Sequence, residues 1–492
     1  MSEAVYNYDS LRDKILACWI GKNIGGTMGA PYEGRRYTHD ITGYVTPKGE
    51  PLPNDDLDLQ MAWYMMLERF GPKNFDANSL ADCWQLMIGP NWNEYGICKK
   101  NLSLGLLPPL CGEFDNDKWK HSNGAWIRSE IWACLAPGFP NVAIKYAIMD
   151  ATLDHGMGEG VYAEIFTAAL ESIAFMETDV RKIVETALTY VPESCRVAQC
   201  VRLVLAEYDK KTPYRQVREL LVETTSDLGW FQAPANVGFV VIGLIYGEAD
   251  FKKSMIYTIN CGDDTDCTGG TVGAVLGIIS GTAGIPGDWQ EYIGDRIIQK
   301  SINGHFDRYR PQTCTEFTDK IMTMLPTLLD ANDVKASFGD VPSYNQSEAF
   351  AVLDGYSAHF WKRSPYSFDI NYPERLSAMV EYEKEPVILP GESFPIKVTF
   401  RHLGHWSGEM IHCSVDLALP NGWTADYRKN TYIGRGVDDF ETPEQNFRGI
   451  EQNVYRFTVT AGDFVADKNR LFLILTSPMY AQPFTIPITL LG

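Results

Sequence analysis

The stretch Cys261-Gly-Asp-Asp-Thr-Asp-Cys-Thr-Gly-Gly-Thr-Val-Gly-Ala-Val-Leu-Gly-Ile-Ile-Ser-Gly281 places three aspartates directly before an apolar, glycine-rich run. Its glycines at 269, 273, 277 and 281 are four residues apart, so they share one face of a helix. This stripe predicts close packing against another helix, with the acidic end of the run brought up to that partner. Asp264 and Asp266 alternate, so an extended backbone directs both carboxylates towards one ion.

A second acidic cluster, Pro53-Asn54-Asp55-Asp56-Leu57, lies about two hundred residues earlier, also at the start of a helical pattern. An N-cap and a favourable helix dipole would explain one such cluster. Two clusters favour a metal site, because several unpaired carboxylates in an apolar bundle would cost several kcal/mol each. Oxygen ligands favour magnesium, manganese or calcium over zinc.

Composition excludes several classes of protein. A chain of 492 residues exceeds the usual size of one hydrophobic core, so two domains are expected. The net charge of -20 opposes binding to nucleic acid and to anionic membranes. No leader pattern and no membrane-spanning run is seen, which predicts a cytoplasmic protein.

The periodicity of the apolar residues changes along the chain. Helix-period segments recur as far as about Pro326, except between Gly89 and Ala136, where the sequence predicts a long ordered excursion rich in aromatic residues. Past about Tyr344 the period is two, as in Phe394 to Arg401, and several such runs indicate a β-sandwich. We therefore predict an all-α domain (1–340), a connecting arm (341–374) and an all-β sandwich (375–492).

Five ordered motifs carry a resemblance to a known family. They are Gly26-Thr-Met-Gly-Ala-Pro-Tyr-Glu33, Asn54-Asp-Asp followed by Gln60-Met-Ala62, Ser122-Asn-Gly-Ala125, Asp154-His-Gly156, and the Asp264-Thr-Asp266 helix start. In this order they resemble the landmarks of the ADP-ribosylglycohydrolase family, which includes dinitrogenase reductase-activating glycohydrolase and the ADP-ribosyl-acceptor hydrolases. The resemblance covers about residues 8–330 and leaves the β-rich tail outside.

The resemblance implies an all-α bundle with a binuclear magnesium or manganese centre. One ion would be held by Asn54, Asp55, Asp56 and Asp266, and the other by Asp264, Asp266 and Cys267. Two ions about 3.5–4 Å apart could clamp sugar hydroxyls and polarise a water. Glu33 would lie on a flap above the anomeric carbon, and Glu33 or Asp56 would act as the base. The sugar pocket would be lined by Asn123, Gly124, His155 and Gly156.

The chain departs from the family pattern at three places. Asn54 replaces a Ser or Thr, which keeps a hard oxygen ligand. Cys267 replaces a Thr, and a neutral thiol binds magnesium poorly, so the second ion is weaker, is manganese, or uses Asp263 or Thr265 instead. The third departure is the aromatic excursion, from which we predict Trp92 and Trp126 as substrate contacts; core filling is the alternative for each.

Three functions are compatible with these residues. The first is hydrolysis of an N- or O-linked ADP-ribosyl group, and the second is hydrolysis of another glycoside by the same chemistry. A pyrophosphate requires cations, and the motif-bearing segments offer only a few: Arg35, Arg36, Lys99, Lys100 and Arg128. The third is a metal-dependent protein that binds a sugar or a nucleotide sugar without cleaving it, against which Glu33 argues.

Overall fold

The computed structural model describes residues 2–351, 360–403, 411–434 and 453–492. The chain forms two compact units, one of Met1–Ile97 with Asn116–Ser357 and the other of Cys98–Asp115 with Ala358–Gly492. The second unit thus includes a segment that lies within the predicted all-α domain. Part of the predicted connecting arm, 352–359, lies outside the described residues. None of the helices in the described ranges combines the length and the apolarity needed to cross a membrane.

Helices dominate the chain up to about residue 330, and a further short helix follows. They are α1 Tyr8–Gly29, α2 Asp55–Phe70, α3 Ala77–Leu86, α4 Asn93–Leu104, α5 Leu110–Glu113, α6 Glu130–Leu135, α7 Pro140–His155, α8 Glu159–Ala174, α9 Val180–Ala187, α10 Arg196–Asp209, α11 Tyr214–Thr224, α12 Ala233–Tyr246, α13 Phe251–Ile259, α14 Thr265–Ser280, α15 Gly287–Ile293, α16 Cys314–Asp330 and α17 Gln346–Ala349. This confirms the predicted helical region. The predicted excursion is itself partly helical, since α4, α5 and α6 lie within it; helices this short and interrupted give no sustained apolar period.

Two glycine stripes bring α1 and α14 into backbone contact. A methyl group added at Gly21 would overlap the carbonyl oxygen of Gly273, and one added at Gly25 would overlap that of Gly269. The helices run antiparallel, so Gly29 at the end of α1 meets Thr265 at the start of α14. Thr265 Oγ1 donates a hydrogen bond to the carbonyl oxygen of Gly29 (2.8 Å). The turn after α1 is thereby held against the acidic start of α14.

Local signals define the start and end of α2. The Asn54 side chain accepts a hydrogen bond from the backbone N–H of Asp56 (2.8 Å), and Asp55, Asp56 and Asp58 lie in the first turn. Acidic residues are favourable there because the helix dipole is positive at its N-terminus. Gly71 ends the helix with φ 73°, a backbone conformation that glycine adopts at little cost.

The first unit also contains a three-stranded sheet of β1 Ser2–Tyr6, β2 Val334–Phe338 and β3 Ser343–Tyr344, in the order β2-β1-β3. β1 pairs in parallel with β2, with Ser2 opposite Val334, and antiparallel with β3. This sheet was not predicted from the sequence, because such short strands show little alternation and β1 lies more than three hundred residues from its partners.

The second unit is built on two antiparallel sheets, β4-β5-β6-β10-β8 and β12-β11-β7-β9. The strands are β4 Ser367–Tyr372, β5 Leu376–Tyr382, β6 Ser393–His402, β7 Ile411–Ala418, β8 Thr424–Asp426, β9 Asn430–Ile433, β10 Val454–Thr460, β11 Lys468–Thr476 and β12 Phe484–Leu491. Burial alternates along β5 and β11, as expected for strands with one face in the core. The predicted β-rich region is confirmed, and β4 extends it into the predicted arm. The 98–115 segment joins this unit through a Pro109–Phe368 bridge and a hydrogen bond from Arg470 to the Gly105 carbonyl (3.2 Å).

Candidate metal centre and cavity

Two groups of potential metal ligands meet where the ends of α1, α2 and α14 converge. Asp56, Asp266 and Cys267 form one group, and Glu33, Asp264 and Asp266 form the other. Within each group the ligand atoms lie within 4.8 Å of one another. Asp266 belongs to both groups. Such an arrangement of ligands suits two cations that share one carboxylate.

The carboxylates of Asp264 and Asp266 are buried and only partly compensated by hydrogen bonds. Each residue is 4% exposed, and Oδ1 of each finds no hydrogen-bond donor in the described part of the chain. Asp264 Oδ2 accepts a hydrogen bond from Asn123 Nδ2 (2.7 Å). Burial, reinforced by neighbouring carboxylates, raises the pKa of Asp266 to about 7 and raises that of Asp264 well above its usual value. Buried, unpartnered oxygen ligands of this kind fit a hard divalent cation.

Cys267 lies close to Asp56 and also contacts the Asp264 side chain. Its Sγ is 3.4 Å from Asp56 Oδ1, and burial raises the pKa of the thiol well above its usual value, so it is neutral. Asp263 and Thr265, the alternative ligands that the sequence offered in place of Cys267, have other partners in the structure. Asp263 accepts hydrogen bonds from the Phe231 backbone N–H (3.1 Å) and from Asn236 Nδ2 (3.3 Å), while Thr265 is bonded to the end of α1.

Both oxygens of Asp55 are engaged by other side chains. Oδ1 lies 3.0 Å from Lys300 Nζ, and Oδ2 accepts a hydrogen bond from the Tyr95 hydroxyl (3.3 Å). Asn54 is buried and uses its Oδ1 to cap α2. Asp55 and Asn54 therefore border the two ligand groups, and either would have to exchange a contact to bind an ion.

A buried lysine beneath the site was not predicted from the sequence. Lys22 is fully buried, and its Nζ lies 3.1 Å from Asp56 Oδ2, 2.7 Å from Glu130 Oε1 and 2.6 Å from the Ile127 carbonyl oxygen. Burial opposes its charge, but Asp56 and Glu130 outweigh burial, and the pKa of Lys22 is raised. Burial likewise raises the pKa of Asp56 to about 7, against the opposing effect of Lys22. The only signal in the sequence was a lysine inside an otherwise apolar helical stripe.

A cavity of about 190 Å³ opens above the carboxylates. Its aromatic lining residues are Trp92, Tyr95, Trp119 and Phe231, and its polar lining residues include Glu33, Asp55, Asn93, Glu94, Ser122, Asn123, Asp264 and Asp266. Gly124, Ile127 and Cys267 complete the lining. No lysine or arginine is among these lining residues. The cavity combines carboxylates with aromatic faces, an arrangement that suits a sugar.

Glu94 is a further cavity residue that was not predicted from the sequence. It lies at the start of α4, in the region predicted as an excursion, and is 7% exposed. Burial raises the pKa of Glu94 to about 7, and its Oε2 finds no hydrogen-bond partner within the described ranges. Gly124 leaves room for this carboxyl, because a methyl group there would overlap Glu94 Oε1.

Three of the predicted substrate contacts, Trp126, His155 and Gly156, are not among the residues that line the cavity. Trp126 is fully buried and donates a hydrogen bond from Nε1 to Asn123 Oδ1 (3.0 Å). His155 is also fully buried, with Nδ1 2.7 Å from Asp154 Oδ1 and Nε2 3.2 Å from Ser122 Oγ. Gly156 ends α7 with φ 52°. Trp126 and His155 thus support the lining residues from behind, while Trp92, Asn123 and Gly124 line the cavity directly.

Arg128 has a structural environment. It is fully buried, and its guanidinium makes two hydrogen bonds to the Asp154 carboxylate (3.0 and 2.9 Å) and one to Asp150 (3.0 Å). This network also fixes His155 through Asp154. Arg128 is therefore not available to a phosphate in the cavity.

Comparison with known proteins agrees with the helical unit. A family model described as ADP-ribosylglycohydrolase matches residues 7–315. A solved structure of an "ADP-ribosylglycohydrolase-related protein complex" is 18% identical, with 65% of this chain and 99% of that chain covered and a TM-score of 0.43. Two further solved structures also match. A FixG-related protein from Vibrio parahaemolyticus is 7% identical, with 24% of this chain and 95% of that chain covered and a TM-score of 0.18. The GAE domain of GGA2p from Saccharomyces cerevisiae is 15% identical, with 25% of this chain and 96% of that chain covered and a TM-score of 0.17. TM-scores this low establish no shared fold. None of the curated proteins compared matches the chain.

Proposed function

The chain belongs to the ADP-ribosylglycohydrolase family, and we propose that it is a divalent-metal-dependent hydrolase of glycosidic bonds. One observation carries the proposal: two groups of potential ligands, buried except for Glu33, share Asp266 at the base of a cavity with aromatic walls. The orphaned oxygens of Asp264 and Asp266 support cation binding there. The cations proposed are magnesium or manganese, two in number.

The proposed ligands are Asp56, Asp264, Asp266 and Cys267, with Asn54 and Asp55 beside them. Bound divalent cations would supply Lewis acidity towards a sugar hydroxyl and a water. Because Asp56 is buried against Lys22, it is better suited to holding charge than to moving a proton. Glu33 is exposed and reaches Asp264 and Asp266, so we assign it the role of base.

Glu94 suits the complementary role of acid. Its pKa of about 7 keeps a proton on much of the population near neutral pH, and it lines the same cavity as Glu33. In the proposed reaction a water oxygen bonds to the anomeric carbon and its proton passes to Glu33. The glycosidic bond breaks, and the leaving atom takes the proton of Glu94. Solvent exchange then returns both carboxyls to their starting forms.

For the substrate we favour a small-molecule glycoside without phosphate groups. The cavity lining holds several aromatic and acidic residues but no arginine or lysine, and the neighbouring Lys300 is paired with Asp55. Two phosphates are normally bound by cations or by backbone amides at a helix N-terminus. Arg128, one of the few cations available in the sequence, is occupied by Asp154 and Asp150. Trp92 offers a half-exposed aromatic face to a sugar ring.

An ADP-ribosyl conjugate is the second candidate, and family membership is the observation that favours it. Calorimetry separates the two. We expect free ADP-ribose to bind with a Kd weaker than about 100 μM, or about 5.5 kcal/mol, even with manganese present. Low-micromolar, manganese-dependent binding would restore the ADP-ribosyl assignment.

A substrate panel tests the reaction itself. Chelator-treated protein should cleave neither neutral glycosides nor ADP-ribosyl conjugates, and magnesium or manganese should restore turnover of one class. Full turnover in excess chelator, with metal analysis confirming removal, would rule out metal dependence. Metal-dependent binding of a glycoside without cleavage would instead support a binding protein.

A further inference from the structure

Two lysines contact the acidic site, and they differ in burial. The Lys22 side chain is fully buried and held by three partners, so its positive charge is a permanent part of the site. The Lys300 side chain is 36% exposed, and its Nζ lies 3.0 Å from Oδ1 of Asp55. An ammonium group at this level of exposure can leave its partner for water, because it recovers its hydration when it does so.

The backbone at Lys300 is fixed although its side chain is accessible. The backbone N–H groups of Lys300 and Ser301 both donate to Asp58 Oδ2 (2.8 Å each). Asp58 is fully buried in the first turn of α2, three residues after Asp55. Lys300 is therefore held at a constant position relative to Asp55, and only its side chain is free to rotate.

Trp92 provides a second contact for the ammonium group, in addition to Asp55. Lys300 Nζ is 5.5 Å from the centre of the Trp92 ring, within the range of a cation–π contact. Trp92 lines the cavity and is 48% exposed. The Lys300 side chain thus lies between a carboxylate of the site and an aromatic face of the cavity.

Asp55 is the residue for which two cations would compete. Asp55 lines the same cavity as Asp264 and Asp266, so a cation held by those carboxylates would lie near it, yet Lys300 and the Tyr95 hydroxyl take one oxygen each. Its side chain is 15% exposed, so an approaching cation can reach it. A divalent cation and the ammonium group cannot both bind Oδ1 closely, because like charges repel at this distance.

We propose that Lys300 is an exchangeable counter-ion of the acidic site, which competes with a divalent cation for Asp55 and moves towards Trp92 when the cation binds. The inference rests on the proposed metal dependence. It predicts that Lys300 weakens cation binding and that the cation in turn frees the Lys300 amine.

Calorimetric titration of the full-length, chelator-treated chain with manganese tests the first part. Lys300→Met should bind manganese about tenfold more tightly than wild type, and Lys300→Gln should do the same if the Met variant does not fold. Lys300→Arg keeps the charge and should stay near wild type. Lys252→Met is the matched control, because Lys252 also pairs with a carboxylate, Asp288 (2.6 Å), and lies 5.2 Å from a tryptophan ring.

Amine labelling followed by peptide mass spectrometry tests the second part. Manganese should increase the labelling of Lys300 several-fold and leave that of Lys252 unchanged. Manganese affinity in both neutral variants that is equal to or weaker than wild type would overturn the inference, as would unchanged labelling of Lys300. Those results would leave metal-dependent turnover intact. Failure of the proposed metal-dependent function would be recognised separately, because the wild type would then turn over substrate in excess chelator.

Discussion

Replacing Asp266 with Asn should separate the electrostatic cost of this shared carboxylate from its function. The pKa of Asp266 is about 7 in the folded chain, against about 3.9 for an unperturbed Asp. A carboxyl with a raised folded pKa contributes stability that is fully present below the unfolded pKa and is lost as pH rises through the folded pKa. A difference of about 3 pKa units corresponds to about 4 kcal/mol, and Asp266 is too buried for water to screen it.

In chelator at about pH 8, Asp266→Asn should therefore raise the free energy of unfolding of the first unit by up to about 4 kcal/mol. The gain should shrink to nearly zero by about pH 3, below the unfolded pKa, where Asp266 is protonated in both states. Manganese should narrow this difference between the two proteins. The wild type should gain about 2.7 kcal/mol at a hundredfold excess over Kd, and the variant should gain little and lose turnover.

Differential scanning calorimetry at several pH values, with and without manganese, measures these shifts. The transition that responds to manganese reports the first unit, because the proposed ligands all lie in it. Asp288→Asn, an exposed aspartate on α15, is the control and should leave that transition unchanged. A variant less stable than wild type at pH 8 in chelator would refute the reasoning, as would an equal gain from manganese in both proteins.

Glu33→Gln should lower kcat about a hundredfold or more with little loss of manganese affinity, since the amide keeps an oxygen donor; wild-type turnover would exclude Glu33 as the base. In the wild type, activity should fall as pH rises above about 7, where Glu94 loses its proton, and Glu94→Gln should be slow with no such fall; an unchanged pH profile would remove Glu94 as the acid. Trp92→Ala should raise KM on the true substrate while the thermal midpoint changes little. Trp126→Ala should lower the free energy of unfolding by about 3–5 kcal/mol, because Trp126 is fully buried. If Trp92→Ala instead destabilised the fold and Trp126→Ala instead raised KM, the substrate-contacting and structural roles of the two residues would be exchanged.

Local pattern was enough to predict several of the longer helices and several strands. The period-two run from Phe394 to Arg401 lies within β6, and the glycine stripe of α14 does pack against another helix. A matching stripe in α1, at Gly21, Gly25 and Gly29, was visible at the same four-residue spacing but was not used. Pairing the two stripes would have placed Glu33 beside the α14 aspartates from sequence alone.

The sequence by itself determined the two acidic clusters, their position at helix starts and the division into helical and β-rich regions, because capping, dipole and periodicity act over a few neighbouring residues. The tertiary structure decided which side chains meet: Cys267 with Asp56, Lys22 beneath Asp56, and Lys300 beside Asp55. These contacts join residues that are distant along the chain, and no local spacing encodes them. Burial then set the pKa values on which the proposed chemistry depends, since removing a charge from water is a property of the packed site rather than of the residue.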